Sequence, residues 1–287
     1  MKKWNLIIDI AKCHDCNNCF LACKDEYVDN DFPPYSSAQP RHGHRWVDIL
    51  RQERGQYPQV DVSYLPILCM HCDSASCMGE SGDEVVYKRD DGIVIIDPVK
   101  AKGRKDILDS CPYGAIWWND EKSIPQKCTL CVHLLEDGWN APRCVQACPT
   151  GALRIVRVEE SEMDSIIDAE KLEVYKPQYQ TEPRVYFANL SRYTCCFIAG
   201  SVALKDIDEC AEGAQITLKR PTEGTIISTQ TNNYGDFKID GLERNSGEYR
   251  LNIAYPEYQS HELNVNLKES ISIGIVQLLE SVSSASE

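Results

Sequence analysis

The sequence predicts an α+β protein in two parts. A cysteine-rich region spans residues 1–158, an all-β sandwich spans residues 199–287, and a helix with an extended linker joins them over residues 159–198. Three observations carry this. Twelve of the fifteen cysteines precede residue 150 and fall into spaced runs. The run Cys-Pro-x-Gly-Ala occurs twice, at Cys111-Pro112-Tyr113-Gly114-Ala115 and at Cys148-Pro149-Thr150-Gly151-Ala152, an internal duplication. Beyond Gly200 the chain breaks into short alternating runs separated by Gly, Asn and Pro.

The organising stretch is Cys13, Cys16, Cys19 and Cys23, spaced C-x2-C-x2-C-x3-C. Three thiolates so close in sequence can ligate three irons of one cubane cluster, while the fourth cysteine of such a run serves a neighbouring cluster. Cys23 therefore predicts a second run, and Cys128, Cys131, Cys144 and Cys148 supply it. Cross-ligation then gives a first set of Cys13, Cys16, Cys19 and Cys148, and a second set of Cys128, Cys131, Cys144 and Cys23. A third set is Cys69, Cys72, Cys77 and Cys111. A fourth set would need Ala101, Arg104, Ile107 and Ser81, and all four positions lack cysteine. Loss of one whole ligand set, with the other three intact, predicts three [4Fe–4S] clusters and one vacated site filled by small residues and ordinary packing. Zinc held by Cys128-x2-Cys131 with Cys144-x3-Cys148 is the alternative chemistry for that run.

Taken in order, residues 4–10 read as a strand leading into the first run. Residues 24–45 are polar and irregular and read as a surface excursion. Residues 46–51 and 60–64 read as strands around a turn at Arg54-Gly55-Gln56. Residues 85–88 and 93–96 form a hairpin with Asp91-Gly92 at its turn. Residues 159–175 are acidic and helical, with Met163, Ile166, Ile167 and Leu172 near one face. Residues 176–195 are extended and Pro-containing and read as a linker or a segment lying on another surface. Strands at 202–204, 214–218, 225–229, 237–239, 249–254, 262–267 and 271–278 describe a small sandwich.

The formal net charge of −14 argues against nucleic acid and against an anionic membrane surface as partners. The first residues are not a signal peptide, because the apolar run of Leu6, Ile7 and Ile8 is short and ends at Asp9. No stretch reaches the roughly 18 apolar residues of a membrane span. Thiolate metal ligands in a reducing compartment, the cytoplasm, are the expectation, rather than a disulfide framework.

Four ferredoxin-like runs, the duplicated C-P-x-G-A, Pro66-Ile67-Leu68-Cys69-Met70-His71-Cys72 and Gly92-Ile93-Val94-Ile95-Ile96-Asp97 resemble the iron–sulfur electron-transfer subunits of dimethyl-sulfoxide-reductase-type molybdopterin enzymes. The resemblance covers roughly residues 1–157 and implies a pseudo-symmetric double ferredoxin-like domain. It further implies a large catalytic partner holding the molybdopterin cofactor, in a heterodimer or a multiple of one. Such subunits usually carry four clusters, and this chain departs from them by one. A second departure is the tail. Gly213-Ala214-Gln215-Ile216-Thr217-Leu218, Asn232-Asn233-Tyr234-Gly235-Asp236-Phe237 and Gly247-Glu248-Tyr249-Arg250-Leu251 are similar to the prealbumin-like (carboxypeptidase regulatory) sandwich.

The chain shows no nucleophile–base pair, phosphate loop or nucleotide fingerprint, so no catalytic residue is expected on it. His14 and His71 flank ligand cysteines and read as hydrogen-bonding loop residues, with iron ligation the alternative. Trp117 and Trp118 read as packing over a cluster or at the partner interface. His42, His44 and His133 have no evident partner. Cys195, Cys196 and Cys210 read as free thiols, and the acidic run from Asp206 to Glu212 as a solvated loop rather than a calcium site. Competing functions are the same electron-transfer role beside another molybdenum or tungsten oxidoreductase, a stand-alone polyferredoxin, and a binding module with structural clusters.

Overall fold

The computed structural model describes residues 1–79, 84–221, 224 and 226–281. The chain divides into two compact units. One comprises Met1–Arg51 and Tyr64–Leu190, the other Gln52–Ser63 and Ser191–Glu287. Among the described residues no helix is long and apolar enough to cross a membrane.

The first unit is built on a three-stranded sheet. Its central strand, Lys3–Asp9, pairs antiparallel with Leu153–Val158 and parallel with Val185–Ala188. Strand alternation splits the apolar residues between two faces. Ile7 packs with Met163 and Leu172, while Leu6 and Ile8 are buried on the opposite side. The helix Glu160–Glu170 supplies Met163, Ile166 and Ile167 at helical spacing to that first face. It ends at Lys171 in the left-handed region (φ 52°), and Leu172 N–H returns to Ile167 O at 2.9 Å.

Three expectations need correction here. Of its two readings, the segment 176–195 is one lying on another surface and no linker. It supplies the edge strand Val185–Ala188, whose Val185 and Phe187 are buried. Four residues beside Pro183 carry too little pattern to read as a strand. The segment 24–45 is no surface excursion either. The helix Asn18–Tyr27 runs into it, and Ser36, Ala38, Gln39 and His44 are buried. Third, the hairpin of Val47–Gln56 and Gln59–Leu68 turns at Tyr57–Pro58 rather than at Arg54-Gly55-Gln56. Gly55 instead lies within the strand at φ +85°, where a Cβ would stand 2.5 Å from the Phe197 ring.

The hairpin Val86–Lys88 with Val94–Ile96 pairs Tyr87 with Ile95, as its alternation and its Asp91-Gly92 turn predict. A second hairpin, Trp117–Asn119 with Ile124–Gln126, was not predicted, since Pro125 in a three-residue run argues against a strand.

The second unit is a sandwich. One sheet runs Ile226–Gln230, Gln215–Lys219, Gly247–Ala254, His261–Leu267, all antiparallel. In the other, Cys196–Leu204 pairs antiparallel with Asp236–Leu242 and Glu209–Cys210, and parallel with Ile271–Leu278. Ile216, Leu218, Leu251 and Ile253 face Ile198, Val202, Phe237 and Ile239 in one core. The first strand begins at Cys196, six residues earlier than expected, and Glu209–Cys210 is an unpredicted eighth strand. Thr225, placed in a strand from sequence, lies outside the described residues.

Candidate metal centres

The first run is a loop that hands over to the helix Asn18–Tyr27. Asp15 (φ 56°) and Asn17 (φ 60°) take left-handed conformations, which these short polar residues tolerate. That brings Cys13, Cys16 and Cys19 close to one another. Arg51 grips the Asp15 carboxylate at 2.8 Å, and Arg45 donates to Asn17 Oδ1 at 3.0 Å while lying 4.0 Å over the Phe20 ring. Cys148 is near enough to Cys13 and Cys19 for their thiolates to repel one another. Burial, with that repulsion behind it, pushes the Cys19 thiol up to about 11.

Cys148 moves the other way from Cys13 and Cys19. Burial raises it, but the amides of Leu153, Thr150 and Ala152 and the Thr150 hydroxyl outweigh burial, so it lies below the usual range. The duplicated motif explains this. Pro149 fixes the first turn position, and Gly151 at φ +64° swings the following amides toward the sulfur. Cys111 repeats the turn with Gly114 at φ +64° and receives the amides of Ala115 and Tyr113. There burial wins, and the thiol is raised.

Cys23 is the fourth cysteine of the first run. Spaced four residues from Cys19 on the same helix, it lies beside Cys128 and Cys131, and Cys144 lies beside all three. All four are buried. Burial drives Cys23 and Cys144 well above the normal thiol range, Cys128 to about 12 and Cys131 to about 11. Donors reach this set from several elements: Gln39 Nε2 to Cys23 at 3.6 Å, Leu130 N–H to Cys128 at 3.3 Å, and the Tyr27 hydroxyl and Arg143 amide to Cys131.

Cys69, Cys72, Cys77 and Cys111 line one cavity with Met70, Ile116, Tyr113, Thr181 and Lys127. Burial raises Cys72 to about 11 and Cys77 to about 12. The Cys72 loop is pinned through Asp73, which pairs with Arg184 and Lys88. Burial works to raise that carboxyl, yet these cations hold it near 2. Thr181 hydrogen-bonds Cys72 and meets the Tyr113 hydroxyl at 2.8 Å.

His71 is wholly enclosed, its ring held far below the usual imidazole range by burial and by Lys127 and Lys88. Its Nδ1 accepts Val94 N–H at 3.1 Å, which leaves the proton of the neutral ring on Nε2, where it has no acceptor among the described residues. Four thiols beside an unsatisfied buried donor fit a sulfur-rich cluster that accepts hydrogen bonds. Among the described residues, no three His, Cys, Asp or Glu side chains are gathered tightly enough to hold a single metal ion.

The three sets follow one another: Cys19 neighbours Cys144, and Cys128 neighbours Cys69. At one end of this series Cys16 is exposed. At the positions of the absent fourth set, Ala101 and Ile107 are buried in an apolar cluster with Val86, Val94, Ile96 and Ile116. Arg104 pairs with Asp106 at 2.8 Å, and Ser81 lies outside the described residues.

Other candidates resolve into packing. His14 is exposed. Ile116, not the two tryptophans, lines the cysteine cavity. The Trp117 ring lies 5.7 Å from that of His44, and Lys105 lies 5.7 Å from the Trp118 ring. His44 Nε2 meets Trp118 O at 2.9 Å, and His133 meets Glu26 at 2.9 Å while stacking on Phe32. In the second unit Cys195, Cys196 and Cys210 are unbridged, with Cys196 in the sandwich core. Gln39, Tyr27, Thr181 and Lys127 were missed from sequence. Only Lys127, adjacent to Cys128, carried a local signal.

The family model of a 4Fe-4S dicluster domain matches residues 60–158, and that of a carboxypeptidase regulatory-like domain matches residues 198–273. With the three thiol sets, these place the chain among iron–sulfur proteins of known type: it belongs to the electron-transfer subunits of the dimethyl-sulfoxide-reductase molybdopterin family. Within that family it is 41% identical, over 97% of its own length and 100% of the relative's, to the pyrogallol hydroxytransferase small subunit of Pelobacter acidigallici. It is 29% identical to a tetrathionate reductase subunit of Salmonella typhimurium, covering 66% of this chain and 73% of that one. A probable anaerobic dimethyl sulfoxide reductase chain of Escherichia coli K12 is 32% identical over 55% of this chain and 75% of its own.

Proposed function

We propose that this chain carries three [4Fe–4S] clusters and relays single electrons to and from a large subunit that holds the molybdopterin cofactor. The ligand sets are Cys13, Cys16, Cys19 and Cys148; Cys128, Cys131, Cys144 and Cys23; and Cys69, Cys72, Cys77 and Cys111. The observation that carries the reading is that Cys148 lies beside Cys13 of the first run while Cys23 lies beside Cys128 and Cys131 of the last. A zinc site at the last run alone would have no use for Cys23. The same placement, with the duplicated C-P-x-G-A turn, supports a pseudo-symmetric double ferredoxin-like domain over residues 1–158, on which the helix and edge strand of 159–190 pack, followed by the sandwich at 199–287.

Such a cluster, when bound, stores one electron with little rearrangement. The protein's part is to hold the thiolates, exclude water and supply N–H donors. The series Cys19 to Cys144 and Cys128 to Cys69 supports a linear relay whose outer end is near Cys16. Its partner, by likeness to the Pelobacter pyrogallol hydroxytransferase, moves a hydroxyl group between ring positions of a polyhydroxybenzene. Such a reaction is redox-neutral overall, so the relay sets the oxidation state of the partner's metal rather than serving every turnover.

The test is metal analysis after anaerobic purification. About twelve irons per chain, with molybdenum in a stoichiometric large partner, is the expected result. About sixteen irons attributable to this chain would mean a fourth ligated site. Iron without a molybdenum- or tungsten-bearing partner would identify a stand-alone polyferredoxin.

A further inference from the structure

Lys127 is 2% exposed, yet no carboxylate pairs with it among the described residues. An ammonium has three donors. Two are used on backbone carbonyls, those of Val94 and, at 3.2 Å, Cys128. Buried cations without a counter-charge are costly and rare, so the compensating charge must come from elsewhere. Besides the neutral His71 ring, the groups that sense Lys127 are thiols of two different sets: Cys77 and Cys111 of the cavity it lines, and Cys128 of the neighbouring set, whose carbonyl it bonds. Cys69 and Cys128, from those same two sets, are themselves close enough to repel.

We propose that Lys127 is the shared counter-charge of two adjacent clusters, those of the Cys69/Cys72/Cys77/Cys111 and Cys23/Cys128/Cys131/Cys144 sets, and that it raises the reduction potential of both. This rests on the ligand sets proposed above. Each site gains one electron from a one-electron reductant, the partner's metal centre in the complex or dithionite in the test, and no proton moves. Every added electron deepens the negative charge on a thiolate-bound cluster, and the fixed ammonium favours that reduced state at low dielectric. Standing beside both sites, it also offsets the repulsion between two reduced neighbours, so both can hold an electron together. The first set, whose thiols do not sense Lys127 among their leading influences, is left out of the effect. Lys127 is thus a positioning residue for charge and not a ligand.

The test is an anaerobic redox titration of the full chain, followed by electron paramagnetic resonance and paired with iron analysis. It compares the native protein with Lys127→Met, Lys127→Gln and Lys127→Arg. With native iron content, Lys127→Met and Lys127→Gln should shift two couples to more negative potential. Each reduction equilibrium should weaken about tenfold, which is about 59 mV for one electron. The remaining couple should not move, and Lys127→Arg should keep all three near native values. Unchanged couples in the uncharged variants, a shift of one couple alone, or an equal shift of all three would overturn the proposal. So would loss of iron from both uncharged variants, which would make the lysine an assembly residue. Fewer than three couples in the native protein would instead overturn the ligand assignment, and the proposal with it.

Discussion

Gln39 donates its side-chain amide to the sulfur of Cys23 at 3.6 Å, from a segment that reads as a polar surface loop. Both residues are buried. A hydrogen bond to a ligand sulfur withdraws charge from it and raises the cluster's potential. Gln39→Leu keeps the bulk and removes the donor. It should lower one couple only, with native iron content, in a redox titration. An unchanged set of couples would mean that this amide merely packs.

Why Gln39 was invisible, and Cys23 was not, is physical. Cluster ligation demands thiols at short fixed spacings, so the first run, the last run and the need for an exchange between them can be read from letters alone. A donor arriving from sixteen residues away, as Gln39 does, is placed by tertiary folding and leaves no local trace. Thr181 is the same case, carried to Cys72 by a segment that reads as a linker. The sandwich was legible where its strands alternate, as Gln215–Lys219 and Gly247–Ala254 do, and less so in the continuously buried start of Cys196–Leu204. The hairpin Trp117–Asn119 with Ile124–Gln126 was not, being three residues a side with a proline in it.

Cys148 and Cys23 should fail in different places. Cys148→Ala should remove the cluster shared with the first run and leave the one at the last run, although Cys148 belongs to that last run in sequence. Cys23→Ala should do the reverse. In each, iron should fall by about four per chain, and the resonance signals lost should differ between the two variants. Identical losses would mean that each run binds its own cluster, without exchange.

In the second unit Arg54, its side chain 1% exposed, holds Asp240 through two bonds of 2.9 and 3.0 Å and Asp61 at 2.6 Å. Burial works to raise both carboxyls, but hydrogen bonds from Lys238 and Arg54 outweigh it and both lie below the normal range. A carboxyl lowered on folding contributes stability that is fully present above its unfolded value, about 3.9. That contribution is lost as pH falls through the lower folded value. Asp240→Asn should therefore destabilise the sandwich at pH 7 by about 1–2 kcal/mol, after allowing for the partial exposure of the pair, and lower its melting temperature. The gap between variant and native protein should stay constant down to about pH 5 and shrink below about pH 4. Calorimetry of the full chain across that range is the measurement. A gap that widened on acidification would reverse the assigned sign.

Where the fourth ligand set would stand, the chain has placed a core. Ile107 is 5% exposed and packs with Val86, Val94, Ile96 and Ile116, and the partly buried Cys77 and Cys111 lie against the same cluster. Apolar residues at Ala101 and Ile107 replace what thiolates would otherwise organise, and the stabilisation there comes from burial rather than from metal. Ile107→Ala removes most of a buried side chain and leaves a cavity. It should destabilise the first unit by about 2–4 kcal/mol. Iron content should stay at the native value, because no ligand is touched. The two readouts separate the possibilities. Lost stability with full iron means the apolar cluster acts as ordinary core. Lost iron at native stability would mean that Ile107 guards the Cys77 and Cys111 site against water, and the vacated position would then serve its neighbour directly.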